Sequence, residues 1–265
     1  MTIAEYSLGP PMRPPIHHDN GFLDKLPARS PTASDYRTLG SWIGLLEAGE
    51  AGQGVPFLPH NDIPDGLAAY RHFLFGNGMD RQFSYERYIA NDPSGSITLE
   101  NAIADAQEGA LWLYLENYGS GDALFYMTGS AIPVGSGDKK FSVRFPYPLT
   151  ENWQKAIGFH VIWISASVVA KSSGNDILFT MDFTLHAEDR FNFNPGATDI
   201  ATGIPDSANG IFEVTGLAHQ YMNYSILKRK VSWQNDVTSS PNAAESVSRS
   251  RDRQPQDNRR IRNRR

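Results

Sequence analysis

Near residue 123 the spacing of apolar residues changes from helical to alternate, and a chain with that change must keep its helices and its sheet apart along the sequence. Before it, Leu39, Trp42, Ile43 and Leu46 fall at i, i+3, i+4 and i+7 and predict a helix over 35–48, which Gly49 can stop. Leu67, Tyr70, Arg71 and Leu74 predict a second over 65–75, closed by Gly76-Asn77-Gly78, and a shorter third fits 80–90. The longest fits 98–117, with Leu99, Ile103, Ala106, Ala110 and Leu113 as its buried stripe. Thr98 is its expected cap, Glu100 suits the positive end of the helix dipole, and Gly119 and Gly121 end it. After residue 123 the segments 123–132, 141–147, 159–170, 177–187, 211–215 and 224–233 read as strands. In the run 177–186, Ile177, Phe179, Met181, Phe183 and Leu185 share one face and Leu178, Thr180, Asp182, Thr184 and His186 the other, the pattern of a half-buried antiparallel strand. The run 160–169 is apolar on both faces and belongs nearer the middle of the sheet.

The expected fold class is therefore α+β: a helical N-terminal half followed by a mainly antiparallel β half, compatible with an open sheet or a barrel-like closure. Four segments follow: a Pro-rich extended arm over 1–36, a helical segment over 37–121, a β-rich segment over 122–234 and a disordered basic tail over 235–265. The arm contains Pro10, Pro11, Pro14, Pro15, Pro27 and Pro31, which favour extended backbone that lies on the body or hangs free.

Composition removes several function classes. The 265 residues contain no cysteine, which excludes disulfides, thiolate metal sites and cysteine nucleophiles. There is no apolar run of 18 residues, so no transmembrane segment is expected, and the N-terminus lacks the basic start and apolar core of a signal peptide. Residues 241–265 hold eight arginines against Glu245, Asp252 and Asp257, while the first 240 carry 16 basic and 26 acidic groups. A body that acidic is not expected to bind nucleic acid specifically. The arginine-rich tail suits an anionic lipid surface or phosphate, and equally a solvated chain end. The nucleophile elbow G-x-S-x-G, the phosphate-cradling G-x-x-x-x-G-K-[ST] and the zinc motif H-E-x-x-H are all absent.

The candidate site lies after the strand at 177–187. His186, Glu188, Asp189, Arg190, Asn192, Asn194, Asp199, Asp206 and Asn209 crowd into 24 residues. Oxygen ligands at that density suit a divalent cation, Ca²⁺ or Mg²⁺, and a carboxylate among them suits general-base work on a water. The same residue types are turn formers that bond nearby backbone, so a plain turn cluster fits as well. His160 and His219 are further acid–base candidates, or hydrogen-bonded structural histidines. His17-His18-Asp19 has the residue types of a metal cluster on an arm poorly suited to hold one. The aromatics of 70–88 (Tyr70, Phe73, Phe75, Phe83, Tyr85 and Tyr88 among them) read as core.

The order of a Pro-rich arm, a helical segment and a β half ending in an Asp-x-aromatic-Asn-Phe-Asn loop resembles bacterial antagonism toxins of the colicin M type. The runs 76–110 and 144–158 also resemble effector modules carried by bacterial secretion systems, and the similarity spans roughly 70–233. Such toxins cleave a lipid-linked peptidoglycan precursor in the periplasm, between polyprenol and pyrophosphate, with an Asp-x-Tyr-Asp motif followed by His-Arg. Asp189 matches the first Asp; Phe191 stands for Tyr, Asn192 for the second Asp, and Thr198-Asp199 where His-Arg would follow.

What the resemblance implies is a toxin or secreted effector delivered to a target-cell periplasm, with a lipid-linked phosphate substrate and an immunity protein as partner. On that reading Asp189 is the base or cation-binding carboxylate, Arg190 or the tail arginines face phosphate, and His186 or His219 is the acid. Asn192, Asn194, Asp199 and Asp206 bind ligand. A non-enzymatic binding or pore-associated module, with a cation or polar ligand in the Asp/Asn loop, and a structural component of a secretion particle are the alternatives.

Overall fold

The computed structural model of the chain describes residues 2–174 and 176–236. The expected basic tail lies outside them, apart from its first two residues. The fold is α+β. Seven strands form one mixed sheet: β1 (Tyr6–Leu8), β2 (Arg81–Gln82), β3 (Ala123–Gly129), β4 (Ile132–Val134), β5 (His160–Ser173), β6 (Asp176–Phe191) and β7 (Tyr221–Asp236). Their order is β1-β3-β5-β6-β7-β2, with β4 also on β5. All pairs are antiparallel except β2 with β7. The outer strands β1 and β2 do not meet, so the sheet is open and the barrel-like closure is not formed.

The period-two reading of β6 is realised residue by residue: Ile177, Phe179, Met181, Phe183 and Leu185 are all buried in the main core. Across that face lies the long helix α4 (Pro93–Asn117), whose Ile103, Ala106, Ala110 and Leu113 join the same core, with Tyr114 edge-on to Phe179 at 5.5 Å. The helix begins five residues before the expected cap. Pro93 suits a first-turn position and Asp92 accepts from the Ser94 amide at 2.9 Å, so Thr98 is an interior residue.

A smaller core joins α1 (Ala33–Ala51), α2 (Pro64–Phe75) and α7 (Ser207–Thr215) to the ends of β6 and β7, around Leu46, Phe73, Phe212 and Tyr221. Thr32 caps α1: its hydroxyl accepts from the Asp35 amide while Asp35 accepts from the Thr32 amide at 2.7 Å.

Two expected strands are not formed: only the first two residues of 141–147 are helical and the rest is turn and irregular chain, while 211–215 is helical throughout. Segment 141–147 alternates Phe141, Val143 and Phe145, but Asp138 caps the short helix α5 (Lys139–Ser142). Val143 is 79% exposed, and Pro146 and Pro148 cannot donate to a ladder. Segment 211–215 is the end of α7, closed by Gly216 in the left-handed conformation. Five residues are too few to separate periods of 2 and 3.6, and the first turns of α7 are turn-forming residues. The helix α6 (Glu151–Ala156) was not anticipated; its Asn152 Oδ1 accepts from the Asp65 and Gly66 amides and so caps α2. The remaining helix, α3 (Tyr85–Asn91), covers the second half of the expected 80–90.

The Pro-rich arm lies on the body. Ile3 and Ala4 donate backbone N–H to buried Asp105, and Arg13 makes a two-point contact with Glu188 at 2.9 and 2.5 Å, beside His18 at 2.9 Å. Burial alone would raise the Glu188 carboxyl, but hydrogen bonds from Arg13 and His18 outweigh it and hold it below the usual range. Phe22 then packs on α7 at Gly210, where an added Cβ would stand 2.1 Å from the ring. Gly210→Ala is expected to cost about 1–3 kcal/mol through forced displacement of Phe22; an unchanged unfolding midpoint in urea would count against this packing.

Candidate functional site

The site arises because β6 outruns its neighbour. Glu188 is its last residue to pair with β5, opposite Val161, whereas β7 continues alongside Asp189, Arg190 and Phe191. One side of that overhang is left free of the sheet. A cavity of about 750 Å³ opens there. Trp42, Leu45 and Leu46 of α1 with Ile63 and Leu67 beside and on α2 make an apolar wall. The end of β6, the loop 192–206 and α6 supply the polar wall.

Of the residues expected from the sequence, Asp189, Arg190, Asn192, Asn194, Asp199 and Asp206 all line this cavity. Asp189 is buried; loss of solvation, then the charge of Asp19, push its carboxyl well above the usual range, and the Arg190 amide offsets this only in part. Asp206 is raised for the same first reason, against an amide bond from Asn194 at 2.9 Å. Asp199 goes the other way: burial would raise it, but Lys155 at 2.5 Å and Thr202 lower it. One wall thus holds acids shifted in opposite directions. Nearby, burial pushes Glu213 of α7 up to about 7 while it accepts from the Phe193 amide at 3.2 Å.

Arg190 is engaged on the arm, 3.3 Å from the Asp24 carboxylate and donating to the Asp19 carbonyl at 3.3 Å. The amides of Asn192 and Asn194 also turn to the arm, donating to the Asp19 carboxylate at 3.2 and 2.6 Å. Phe191 stacks on Tyr221 with centroids 5.1 Å apart and joins Phe73 and Phe193 in an aromatic cluster under the cavity.

The expected histidines lie elsewhere. His186 and Asp189 are three residues apart on one strand and so point to opposite faces of the sheet. His186 stacks on Trp163 at 3.7 Å, its Nε2 is 3.1 Å from Ser165 Oγ, and burial pushes it down to about 4. His219 donates its backbone N–H to the Phe73 carbonyl and does not line the cavity. His160 is buried between the Tyr85 hydroxyl and the Gly158 carbonyl, each at 3.1 Å, and burial pushes it to about 4.

Among the described residues no group of three or more histidines and carboxylates is placed to hold a metal ion. The triplet at 17–19 divides, with His18 on Glu188 and Asp19 on the asparagines. The carboxylates of the loop share a cavity without converging, so the residues do not fit the Ca²⁺ or Mg²⁺ site expected from their density.

No protein-family description matches the chain, and no curated protein matches it. Two solved structures are similar to it. One is PaeM, a colicin M-like bacteriocin produced by Pseudomonas aeruginosa, 16% identical, covering 69% of this chain and 57% of that one at a TM-score of 0.39. The other is the truncated bacteriocin syringacin M from Pseudomonas syringae pv. tomato DC3000, 11% identical, covering 65% of this chain and 60% of that one at a TM-score of 0.35. The chain thus spans less than two thirds of either. The roles of Asp189 and its neighbours rest on their own geometry.

That geometry also brings in residues sequence reasoning did not single out. Lys155 and Glu151 come from the unanticipated α6, and Tyr147 from the segment read as a strand. Burial raises the Tyr147 phenol, and the charges of Asp189, Asp199 and Asp206 raise it further, so it stays a hydroxyl donor. Tyr70 donates to Asn209 Oδ1 at 2.6 Å at the base of the apolar wall. The signal that could have found Lys155 and Tyr147 was the run 144–158, which the family resemblance marked without a role for any residue in it.

Proposed function

We propose that this chain is a bacterial antagonism toxin that acts on a competitor's cell envelope, with the cavity at the end of β6 as its active site. The reading is carried by one observation: a buried Asp189, its carboxyl raised by loss of solvation, in a cavity that apolar side chains of α1 and α2 also line. An amphipathic substrate suits such a cavity, its lipid chain along Trp42, Leu45 and Leu67 and its polar head toward Asp189. A lipid-linked peptidoglycan precursor is the substrate proposed, on the strength of the sequence resemblance around Asp189.

Hydrolysis between lipid and pyrophosphate adds hydroxide from water to phosphorus and a proton to the departing lipid alcohol. Asp189 is suited to supply that proton, and a neighbouring ionised carboxylate to take the one water gives up. Among the described residues Lys155 and Arg190 are cations that line the cavity and suit the phosphate; they pair with Asp199 and Asp24. A producing cell would require an immunity protein against such an activity.

Expression in a susceptible bacterium with and without an attached export signal tests the reading. Killing is expected only on export, together with release of polyprenol from the lipid-linked precursor. Killing only without export would place the target in the cytosol and end the envelope assignment.

A further inference from the structure

Asp19 lies 170 residues from Asp189 in sequence, on an arm with almost no secondary structure, yet it lines the same cavity. Its placement is built. Asn192 and Asn194 each donate a side-chain N–H to its carboxylate, one to each oxygen. Arg190 donates to its carbonyl. On one side of it the arm is clamped by Arg13 and His18 on Glu188, and on the other by Phe22 against Gly210 of α7. The two asparagines thus spend their side-chain donors on holding a carboxylate that the arm brings.

We propose that Asp19 is a positioning residue for Asp189: docking of the arm fixes a second carboxylate in the cavity that holds Asp189, held there by the side chains of Asn192 and Asn194, and so sets the environment in which the Asp189 carboxyl works. The inference rests on the active-site reading above and adds to it that the site is complete only with the arm in place. The other groups facing Asp189 do not supply this effect equally. Tyr147 from the segment before α6 and Tyr221 from β7 are neutral phenols, raised by burial first, and the Arg190 backbone N–H acts in the opposite sense. Asp199 and Asp206 act on Tyr147, and Asp199 is neutralised by Lys155. Asp19 is the charge that raises Asp189 after burial itself.

The experiment is a carboxyl-carbon NMR titration of Asp189 in the full chain and in Asp19→Asn, with Asp19→Ser in its place should the amide variant fail to fold. Removing the charge is expected to lower the Asp189 midpoint by about one pH unit or more; Asp19→Glu, which keeps the charge, is expected to restore most of it. Where polyprenol release is measured, the alkaline limb of the Asp19→Asn profile is expected to move down by the same amount, because a proton donor is lost as pH rises through its midpoint. A titration of Asp189 that superimposes on that of the parent overturns the proposal. The titration uses no substrate, so it is decided separately from the export experiment: killing without a titration shift removes the role of Asp19 alone, and a shift without killing removes the envelope reading alone.

Discussion

Asp189→Asn is expected to abolish export-dependent killing, lowering polyprenol release at least 100-fold, while making the folded protein more stable at neutral pH. The two effects have one origin. Burial pushes the Asp189 carboxyl well above the usual range in the folded state, whereas in the unfolded chain it ionises near pH 4. Between those two midpoints the folded state binds more protons, so its stability falls as pH rises, by about 1.4 kcal/mol for each pH unit separating them. An amide has nearly the same shape and no such ionisation. Thermal midpoints of the parent should therefore decline from pH 4 toward neutrality relative to those of Asp189→Asn, with the two proteins closest at the acid end. Asparagine cannot give up a proton to a leaving oxygen, and loss of a general acid typically costs 10²–10⁴-fold. A variant that kills as well as its parent would remove Asp189 from the chemistry, and a variant that gains no stability would remove the raised carboxyl on which its role depends.

Asp189 is marked as a candidate in the sequence by the crowd of acidic and amide residues around it and by the family resemblance there, and β6 is legible because one of its faces is wholly buried and so must alternate. The same alternation bore on His186: it faces the side of the strand away from Asp189 and lies within the part of β6 that β5 still covers, whereas Arg190, on its face but beyond that pairing, reaches the cavity. What could not be read locally is the other half of the cavity. Asp19, Tyr147 and Lys155 reach it through the arm, a turn and a short helix. Their placement depends on contacts such as Arg13 with Glu188 and Asn152 with the first amides of α2, each between residues more than 80 positions apart. Helix α7 shows the local limit: Phe212 and Val214 alternate like a strand, and only the tertiary fit of Phe22 over Gly210 and the left-handed turn at Gly216 favour the helix. The start of α4 is a further case, because Asp92 and Thr98 are both good caps and the choice is made by residues 149 and 150.

That choice makes Asp92 the residue whose loss should damage the fold most. It is 2% exposed, ends α3 through its backbone and begins α4 through its side chain. Its carboxylate accepts from the Ser94 amide and hydroxyl at 2.9 and 2.6 Å, from the Leu149 amide at 3.1 Å, and from the Thr150 amide and hydroxyl at 2.8 and 2.7 Å. Asp92→Ala removes a helix cap, about 1 kcal/mol, and takes the partner from three part-buried donors of Leu149 and Thr150, at about 1 kcal/mol each. With partial relaxation, a loss of about 3–4 kcal/mol is expected in urea unfolding. Asp92→Asn keeps the shape but points an amide N–H₂ at donors, and should fall between. Burial would raise the Asp92 carboxyl, yet the bonds from Ser94, Thr150 and Leu149 win and hold it below the usual range. Its ionised form therefore contributes stability above the unfolded midpoint near pH 4, and that contribution is lost as pH falls through the lower, folded midpoint. The parent should lose stability more steeply than Asp92→Asn in that acid window, the reverse of what Asp189 does. Thr150 is also the residue from which α6 starts, and α6 carries Glu151 and Lys155 into the cavity. Weakening this junction should therefore expose the polar wall to hydrogen exchange before the sheet opens; an α6 protected as well in Asp92→Ala as in the parent would show that α6 is held by its Trp153 packing and not by this carboxylate.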